Sequence, residues 1–510
     1  MRIVVIEFYL NGQPQRLDAV DPNMSILTFL RTKMSLTGTK EGCASGDCGA
    51  CTVAIGSLDP QAPSRIRYDN VNSCIAVVGS LHGKHLVTVD ALAGARPHPV
   101  QQAMVDHHAA QCGFCTPGIV MSLFTLHHAA HAQRQSPSEI QMLDALSGNL
   151  CRCTGYRPIL AAGEAACRQD PTTDSDTAVP QADASGWLDN PAMCAELARI
   201  AEAHAILELR EHGRYDAPQT LDELRRLRRD HPEARLIAGG TDLMLEVTQQ
   251  LKQIAHLIDL TRIEALQQIE TRPDGLQIGA AVTYRALEPI LSERWPAVGA
   301  LLKRLGSSQI RNRGTLGGNI GNASPIGDMP PILIALGAVL ELDSTDGVRR
   351  LPIDDFFLDY KRTALKPHEF IRGVFIPDQD PAALLKVYKV SKRIDDDISA
   401  VLGAFSLTLN AGIVTDCRLA YGGMAAIPKR AHRAEQMLIG RPWDEAAVAD
   451  AMAALAEDFS PMSDVRASAD YRRHVAGNLI RRAWLETVSG QMHPSSTFPT
   501  TVFDYAHTHD

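Results

Sequence analysis

Eight of the eleven cysteines fall between Cys43 and Cys153, in two sets. Cys43, Cys48 and Cys51 follow one another as C-x4-C-x2-C, and Cys74 stands alone after 22 intervening residues. A two-iron, two-sulfide cluster needs four thiolates converging on a small volume, and this is its plant-type spacing. The loop from Gly42 to Cys51 places only small or turn-competent residues between the thiols. Its glycines let the backbone bend around a cluster and aim N–H groups at the sulfurs. Zinc is the rival occupant, but zinc sites pair their cysteines twice or combine them with histidine, and here the fourth cysteine has no near partner. The second set is Cys112-Gly113-Phe114-Cys115 with Cys151-Arg152-Cys153, and 35 residues separate its halves. Each half is followed by a proline that opens a helix, Pro117 and Pro158. Two helix N-termini, each carrying partial positive charge, can then face one anionic centre. By spacing this set reads as metal-binding, with a thioredoxin-like redox pair as the alternative. Cys167, Cys194 and Cys417 have no partner at ligand spacing and read as plain buried thiols.

Two glycine loops carry the second kind of chemistry. Leu236-Ile237-Ala238-Gly239-Gly240-Thr241-Asp242-Leu243 runs from a strand through a Gly-Gly turn toward a helix. The segment from Thr315 to Asp328, TLGGNIGNASPIGD, is longer and rich in hydrogen-bonding side chains. Glycine lets a phosphate approach backbone N–H groups, and Thr, Asn and Ser add donors for a pyrophosphate. Neither loop is G-x-G-x-x-G, so a Rossmann dinucleotide site is not expected. A structural turn remains the alternative for the first loop. The run His127-His128-Ala129-Ala130-His131 reads as an exposed helix face rather than a metal site.

The elements that must hold these residues follow from the apolar pattern. Asn11-Gly12 between Ile3–Phe8 and Gln15–Asp18 predicts a hairpin. Ser25–Thr32 has helical spacing, and Cys51–Ile55 reads as a short strand. Gly118–Ala132 and Ile159–Cys167 read as helices. Residues 168–190 are polar, rich in Pro, Ser, Thr and Asp, and aperiodic, which predicts a linker. Beyond it, strands are expected at Arg235–Ala238, His256–Asp259 and Leu276–Ala280, and helical runs at Leu221–Asp230, Leu243–Leu251 and Ala297–Leu305. Ala400–Leu409 and Thr415–Tyr421 read as strands, followed by helical material through Leu485. The apolar run Ile332–Leu340 has the length of one buried element.

The 510 residues exceed one ordinary domain, and 45% hydrophobic with 21% charged residues supply several cores. A net charge of −9 leaves no basic field for nucleic acid or an anionic membrane. No apolar stretch approaches the roughly 20 residues of a membrane span, and no secretory leader is legible at the start. Cytoplasmic location is the expectation.

QCGFCTPG (Gln111–Gly118) and NLCRCTGYRPI (Asn149–Ile159), following the first cysteine loop, resemble the iron–sulfur region of the molybdenum hydroxylases. LIAGGTDL and TLGGNIGNASPIGD resemble the flavin part of the same family, as do Tyr388–Ile398 and Tyr421-Gly422-Gly423-Met424. Within the family the likeness is nearest to the small iron–sulfur/FAD subunit of the bacterial xanthine dehydrogenases. It implies a multidomain α+β chain. A β-grasp ferredoxin-like domain would cover 1–86, a helical-bundle 2Fe–2S domain 87–167, and a linker 168–212. An α+β, non-Rossmann FAD-binding domain would cover 213–397, a C-terminal α+β flavoprotein domain 398–490, and a tail 491–510.

The resemblance further implies one cluster on Cys43, Cys48, Cys51 and Cys74 and another, nearer a molybdenum centre, on Cys112, Cys115, Cys151 and Cys153. It assigns FAD to Leu236, Ile237, Ala238, Gly239, Gly240, Thr241, Asp242 and Leu243, to Thr315, Leu316, Gly317, Gly318 and Asn319, and to Asp328, Ile371 and Lys389. Leu305 stands where relatives carry a phenylalanine that packs on the isoalloxazine. Tyr360 matches an aromatic beside the nicotinamide, and Asp396 an acidic residue near the flavin ring. The implied activity is electron transfer from purine oxidation on a partner chain, through two 2Fe–2S clusters and FAD, to NAD⁺. No residue of this chain would be catalytic for the hydroxylation. The implied partner is a molybdopterin-binding large subunit, in a heterodimer that pairs into a heterotetramer. Two rivals share these motifs: a hydroxylase of aldehydes or N-heterocycles, and a standalone flavin–iron–sulfur diaphorase.

Overall fold

Asn11 and Gly12 take φ of 52° and 78°, the left-handed pair that matches the twist of a two-residue hairpin. They fold Ile6–Leu10 (β1) onto Gln13–Leu17 (β2), as expected. The computed structural model describes residues 5–18, 20–60, 62–94, 96–168, 190–209, 213–394 and 396–492. It divides into two units: Met1–Gln267 with Thr283–Ala286 and Gly306–Thr315, and Gln268–Val282 with Leu287–Leu305 and Leu316–Asp510.

In the first unit, Thr52–Asp59 (β3), Ala62–Asn72 (β4) and His85–Val87 (β5) complete a five-stranded sheet of order β2-β1-β5-β3-β4. Within it β1 and β5 run parallel and the other pairs antiparallel. Ile26–Thr32 (α1), capped by Ser25 Oγ, which accepts from Thr28 N–H, buries Ile26, Leu27, Phe29 and Leu30 in the core of this sheet. This is a β-grasp arrangement. Four helices follow: Pro99–Asp106 (α2), Thr116–Gln133 (α3), Glu139–Leu146 (α4) and Arg157–Cys167 (α5). Met104, Ile119, Leu123, Met142 and Ile159 form their common core, which also takes in Ala54, Tyr68 and Val87 from the sheet.

The span expected as a linker is corrected over part of its length. Pro191–Glu202 is a helix (α6) and Ala205–Leu209 a strand (β6), whereas 169–189 and 210–212 lie outside the described residues. Asn190 Oδ1 accepts from Ala192 and Met193 N–H, Pro191 sits in the first turn, and Met193, Cys194, Leu197 and Ile200 bury one helical face. Strand β6 pairs with Gly213–Ala217 (β7). Leu221–Asp230 (α7), Arg235–Ile237 (β8), Leu245–Thr248 (α8) and His256–Asp259 (β9) then close a sheet of order β6-β7-β9-β8. Of the helical run expected at Leu243–Leu251, one turn is α-helical. Leu251 has a φ of 54°, and Lys252 N–H turns back to Glu246 O, so the chain is already leaving the helix.

In the second unit, Ile269–Arg272 (β10), Gly275–Gly279 (β11), Val339–Ser344 (β12), Gly347–Pro352 (β13) and Phe370–Pro377 (β16) form an antiparallel sheet of order β10-β11-β16-β12-β13. Phe357–Asp359 (β14) and Arg362–Thr363 (β15) make a separate hairpin. The apolar run Ile332–Leu340 is two elements rather than one: Met329–Ala335 is helical, Gly337 turns with a φ of 67°, and β12 begins at Val339. Ala383–Val390 (β17), Val401–Asn410 (β18), Ile413–Gly422 (β19) and Lys429–Arg430 (β20) form a meander. Its core, with Phe405, Leu419 and Tyr421, is shared with Ala447 and Ala451 of the helix Glu445–Asp458 and Ile480 of the helix Ala469–Met492. No described helix is long and apolar enough to cross a membrane.

The histidine run on α3 is not an exposed face. His127 is buried, its ring 4.9 Å from that of His98 and 4.2 Å from that of His131. The reason is that α3 is the central helix of its group and buries side chains all round. Burial, with His131 and His98 adding to it, pushes His127 down to about 2; burial alone pushes His85 down to about 3. These rings stay neutral when folded and protonate when unfolded near the ordinary value of 6.5. They therefore contribute stability above that pH and lose it as pH falls. His127→Gln should flatten the loss of stability from about pH 6.5 to 5 by up to about 1.4 kcal/mol per pH unit. Urea midpoints of the two proteins across that range measure this, and parallel slopes would show that His127 titrates normally in the folded state.

Candidate functional site

The first quartet is assembled by the β-grasp sheet. Cys51 directly precedes β3, and the 3-10 turn Ser73–Ile75 at the end of β4 brings in Cys74, whose Sγ lies 3.2 Å from Cys51 Sγ. Cys43 Sγ is within hydrogen-bonding reach of both Cys48 and Cys74. The loop turns through left-handed residues, Gly46 (φ 86°) and Gly49 (φ 68°) among them, and a Cβ on Gly49 would fall 2.2 Å from Gly148 O. The thiols disagree electrostatically. Hydrogen bonds from Cys48 and Cys74 hold Cys43 well below the usual thiol range, and a hydrogen bond from Cys74 lowers Cys51. The same contacts, then burial, push Cys48 and Cys74 far up. Four thiols this close cannot all lose their protons unless cationic charge sits among them, and ferric ions supply that charge. The donor set fits a 2Fe–2S cluster.

The second quartet lies where α3 and α5 begin. Cys115 is the residue before α3, and Cys151 and Cys153 precede Tyr156, which takes a φ of 66° at the start of α5. Cys115 faces Cys151, and Cys112 faces Cys153. Burial and then Cys151 push the Cys115 thiol up to about 12, whereas hydrogen bonds, chiefly from Thr154, lower Cys151 against its own burial. Tyr156 Oη accepts from Cys151 N–H at 2.9 Å and braces the loop. Cys112 and Cys153 are exposed, as are Phe114 and Leu150 beside them. Cys167, Cys194 and Cys417 are buried and reduced, as expected.

A buried polar network that sequence reasoning missed ties the quartets together. Leu150 N–H donates to Cys48 O at 3.0 Å, one residue from Cys151. Asn149 Nδ2 donates to Gly49 O, and its Oδ1 accepts from Ser122 Oγ at 2.7 Å and from Gln309 Nε2 at 3.1 Å. Gln309 also reaches Thr52 Oγ1, next to Cys51. The signal available was weak: Gln309 and Asn312 are polar residues in a segment that the glycine loop after it overshadows.

The first glycine loop belongs to the first unit. It follows β8, and a Cβ on Gly239 would fall 2.0 Å from Arg313 O, so the loop is pressed against that backbone. Gly240 (φ 77°) would bring a Cβ to 2.9 Å from Ile75 O, the residue after Cys74. Gln249, just past α8, donates to Cys43 O and Ala44 O, each at 3.0 Å. The loop Leu236–Leu243 is thus packed directly on the first cysteine set. Thr315, also in this unit, is buried and bridges to Thr283.

The second unit holds the rest of the expected flavin residues. Leu316 and Gly317 bond to Val282 O and Ala280 O, and Ile371 lies beside Gly321. Asn319 Oδ1 is buried without a hydrogen-bond partner among the described residues. An orphaned acceptor beside glycines fits a polar ligand such as a dinucleotide better than it fits a plain turn. Asp328 accepts from Lys389 Nζ at 2.6 Å and from Ser399 Oγ at 2.5 Å. Lys389 Nζ also donates to Arg304 O, beside the buried Leu305. Tyr360 is exposed on the β14–β15 turn, and Asp396 is a half-buried residue with a φ of 48° in the β17–β18 connection.

Comparison with known proteins follows the same order. Residues 8–79 match the 2Fe-2S iron-sulfur cluster binding domain, and 88–164 the [2Fe-2S] binding domain. Residues 210–379 match the FAD binding domain in molybdopterin dehydrogenase, and 386–487 the CO dehydrogenase flavoprotein C-terminal domain. Over 94% of its length the chain is 33% identical to a xanthine dehydrogenase of Drosophila subobscura, and over 94% it is 33% identical to aldehyde oxidase 2 of Macaca fascicularis. It spans 39% of the length of each. A chain of the carbon monoxide dehydrogenase from Hydrogenophaga pseudoflava, in a form lacking the Mo-pyranopterin moiety of the molybdenum cofactor, is 31% identical with a TM-score of 0.51, matching 52% of this chain and 94% of that one.

Two quartets predict two separable clusters. Cys48→Ser should remove one of two paramagnetic signals from the reduced protein, and Cys151→Ser the other; loss of the same signal in both would mean that the quartets are wrongly drawn. The Asp328–Lys389 pair predicts strong coupling. Lys389→Met or Asp328→Asn alone should each cost about 3–5 kcal/mol in urea unfolding, and the double variant should recover much of it. Simple additivity would show that the pair is not coupled.

Proposed function

The chain belongs to the molybdenum hydroxylase family, and we propose that it is the electron-transfer subunit of a xanthine dehydrogenase whose molybdopterin-binding chain is a separate partner. The protein carries the iron–sulfur and FAD-binding parts of that family. The observation that carries the proposal is an ordered chain of contacts. The second quartet, exposed at Cys112 and Cys153, is joined to the first by the Leu150–Cys48 backbone bond, and the first quartet is packed against the loop Leu236–Leu243.

When bound, the cofactors would supply the chemistry, one-electron transfer by the clusters and two-electron transfer toward NAD⁺ by the flavin. The residues of this chain hold and order those groups. Cys112, Cys115, Cys151 and Cys153 hold the cluster at the surface, where Phe114 and Leu150 give the molybdenum chain an apolar rim to close over. Cys43, Cys48, Cys51 and Cys74 would hold the other, with Cys51 and Cys74 in the β-grasp core. Leu236–Leu243 and Thr315–Asn319 would hold the FAD pyrophosphate, with Asp328, Ile371 and Lys389 assigned beside it. Leu305 gives the ring system apolar contact, and Tyr360 and Asp396 stand on the nicotinamide side. Two copies of the resulting heterodimer make the working assembly.

A second reading, an aldehyde hydroxylase, is favoured by the equal identity to aldehyde oxidase 2. Co-purification with a co-expressed molybdenum chain, followed by assay with hypoxanthine, an aldehyde and NAD⁺, separates these readings. Hypoxanthine-dependent NADH formation is expected. Turnover of the aldehyde alone would replace purine by aldehyde, and NADH oxidation by a chain that captures no molybdenum subunit would leave a standalone diaphorase.

A further inference from the structure

Away from the cysteines and glycine loops, three potential ligands meet at the end of α7. His231 follows the last residue of α7, Glu233 comes two residues later in the turn, and His256 opens β9. One nitrogen of each imidazole and one carboxylate oxygen of Glu233 lie within 4.8 Å of one another. The two rings meet edge to face with centroids 4.8 Å apart, and His231 Nδ1 stands 3.7 Å from Glu233 Oε1.

What lies behind these three residues makes the trio more than a surface coincidence. His256 is 8% exposed, and its Nε2 lies 2.7 Å from Asp216 Oδ2. Asp216 is itself buried and gripped through both oxygens by Arg214. A carboxylate in that position holds the proton on Nε2 and leaves the lone pair on Nδ1, which is how metal-binding histidines are oriented by a partner behind them. The turn is also fixed. Arg228 Nη1 donates to Ala234 O at 2.8 Å and to His231 O at 3.4 Å, and Ala234 N–H closes back on His231 O at 3.1 Å. Exposure falls in sequence from Glu233 through His231 to His256, which gives an ion a route inward.

We propose that His231, Glu233 and His256 bind one divalent first-row transition ion of the zinc type, with Asp216 orienting His256. Two imidazoles and one carboxylate are borderline donors that suit zinc and leave a fourth position for water. Calcium and magnesium need six or more oxygens and are not served. Imidazole binds a metal in its neutral form, so Glu233 would bring the one negative charge of the donor set, while Asp216 is balanced by Arg214. The ion is a clip: it would pin the C-terminal end of α7 to the start of β9 and so brace the sheet from which the loop Leu236–Leu243 departs.

The test uses the purified protein with its clusters and flavin. Equilibrium dialysis against micromolar zinc chloride should load one zinc per chain, with iron content unchanged. X-ray absorption at the zinc edge should show only nitrogen and oxygen neighbours near 2.0–2.1 Å, and none at the roughly 2.3 Å of sulfur. His231→Gln and Glu233→Gln, both at accessible positions, should each weaken binding at least about tenfold and leave iron and flavin contents intact. Failure to retain zinc, a sulfur shell marking zinc lodged in a cysteine set, or zinc binding by either variant as tight as that of the unsubstituted protein would each overturn the proposal.

Discussion

Asn149 sits where the loop of the first cysteine set meets the chain that carries the second, and its side-chain amide serves both. It donates to Gly49 O and accepts from Ser122 Oγ and Gln309 Nε2. In a low-dielectric interior each of these groups costs far more unpaired than it contributes when paired, so the set tolerates one arrangement of its neighbours. That constraint holds β3, α3 and the Leu150 backbone in register, and through them Cys48 against Cys151. Residues donated by sequence-distant segments thus define one spacing between two groups of thiols.

The second unit uses a different device. Lys389 and Asp328 are both buried, and the pair is completed by Ser399 and by Arg304 O. Such a pair adds little net stability against an apolar alternative, but it penalises any packing that separates its members. It locates the end of β17 against the stretch that leads into the helix Met329–Ala335. Nearby, Asn319 Oδ1 is left without a partner among the described residues, whereas Asp328 is paired with both Lys389 and Ser399. A buried acceptor left open among glycines is what a polar ligand would use.

The division of labour between exposed and buried thiols follows from these constraints. Cys51 and Cys74 are enclosed by a sheet and a helix, and Cys112 and Cys153 stand at the surface on short turns before two helices. Enclosure shields a charged group from water and favours a fixed environment, while exposure gives a partner access. Both settings occur on one chain because the β-grasp sheet and the helices share a core through Ala54, Tyr68 and Val87.

Cysteine spacing, the Asn-Gly turn, the prolines before two helices and the glycine loops were legible because each acts within a few residues. A ligand loop, a type I′ turn and a helix start are local geometries that residue type alone can impose. The family likeness was legible for the same reason, since it is carried by short motifs. Burial was not legible. His127 looked like part of a polar helix face and is instead enclosed, because α3 lies at the centre of its group. Residues 191–209 looked like part of a linker, yet the short apolar face of α6 finds a surface to cover and β6 finds a strand to pair with. The pairing of Cys112 with Cys153 and Cys115 with Cys151, and the bonds of Gln309 to residues more than 150 positions away, depend on which elements pack together. Such contacts are set by the summed burial of many side chains, and no local pattern encodes them.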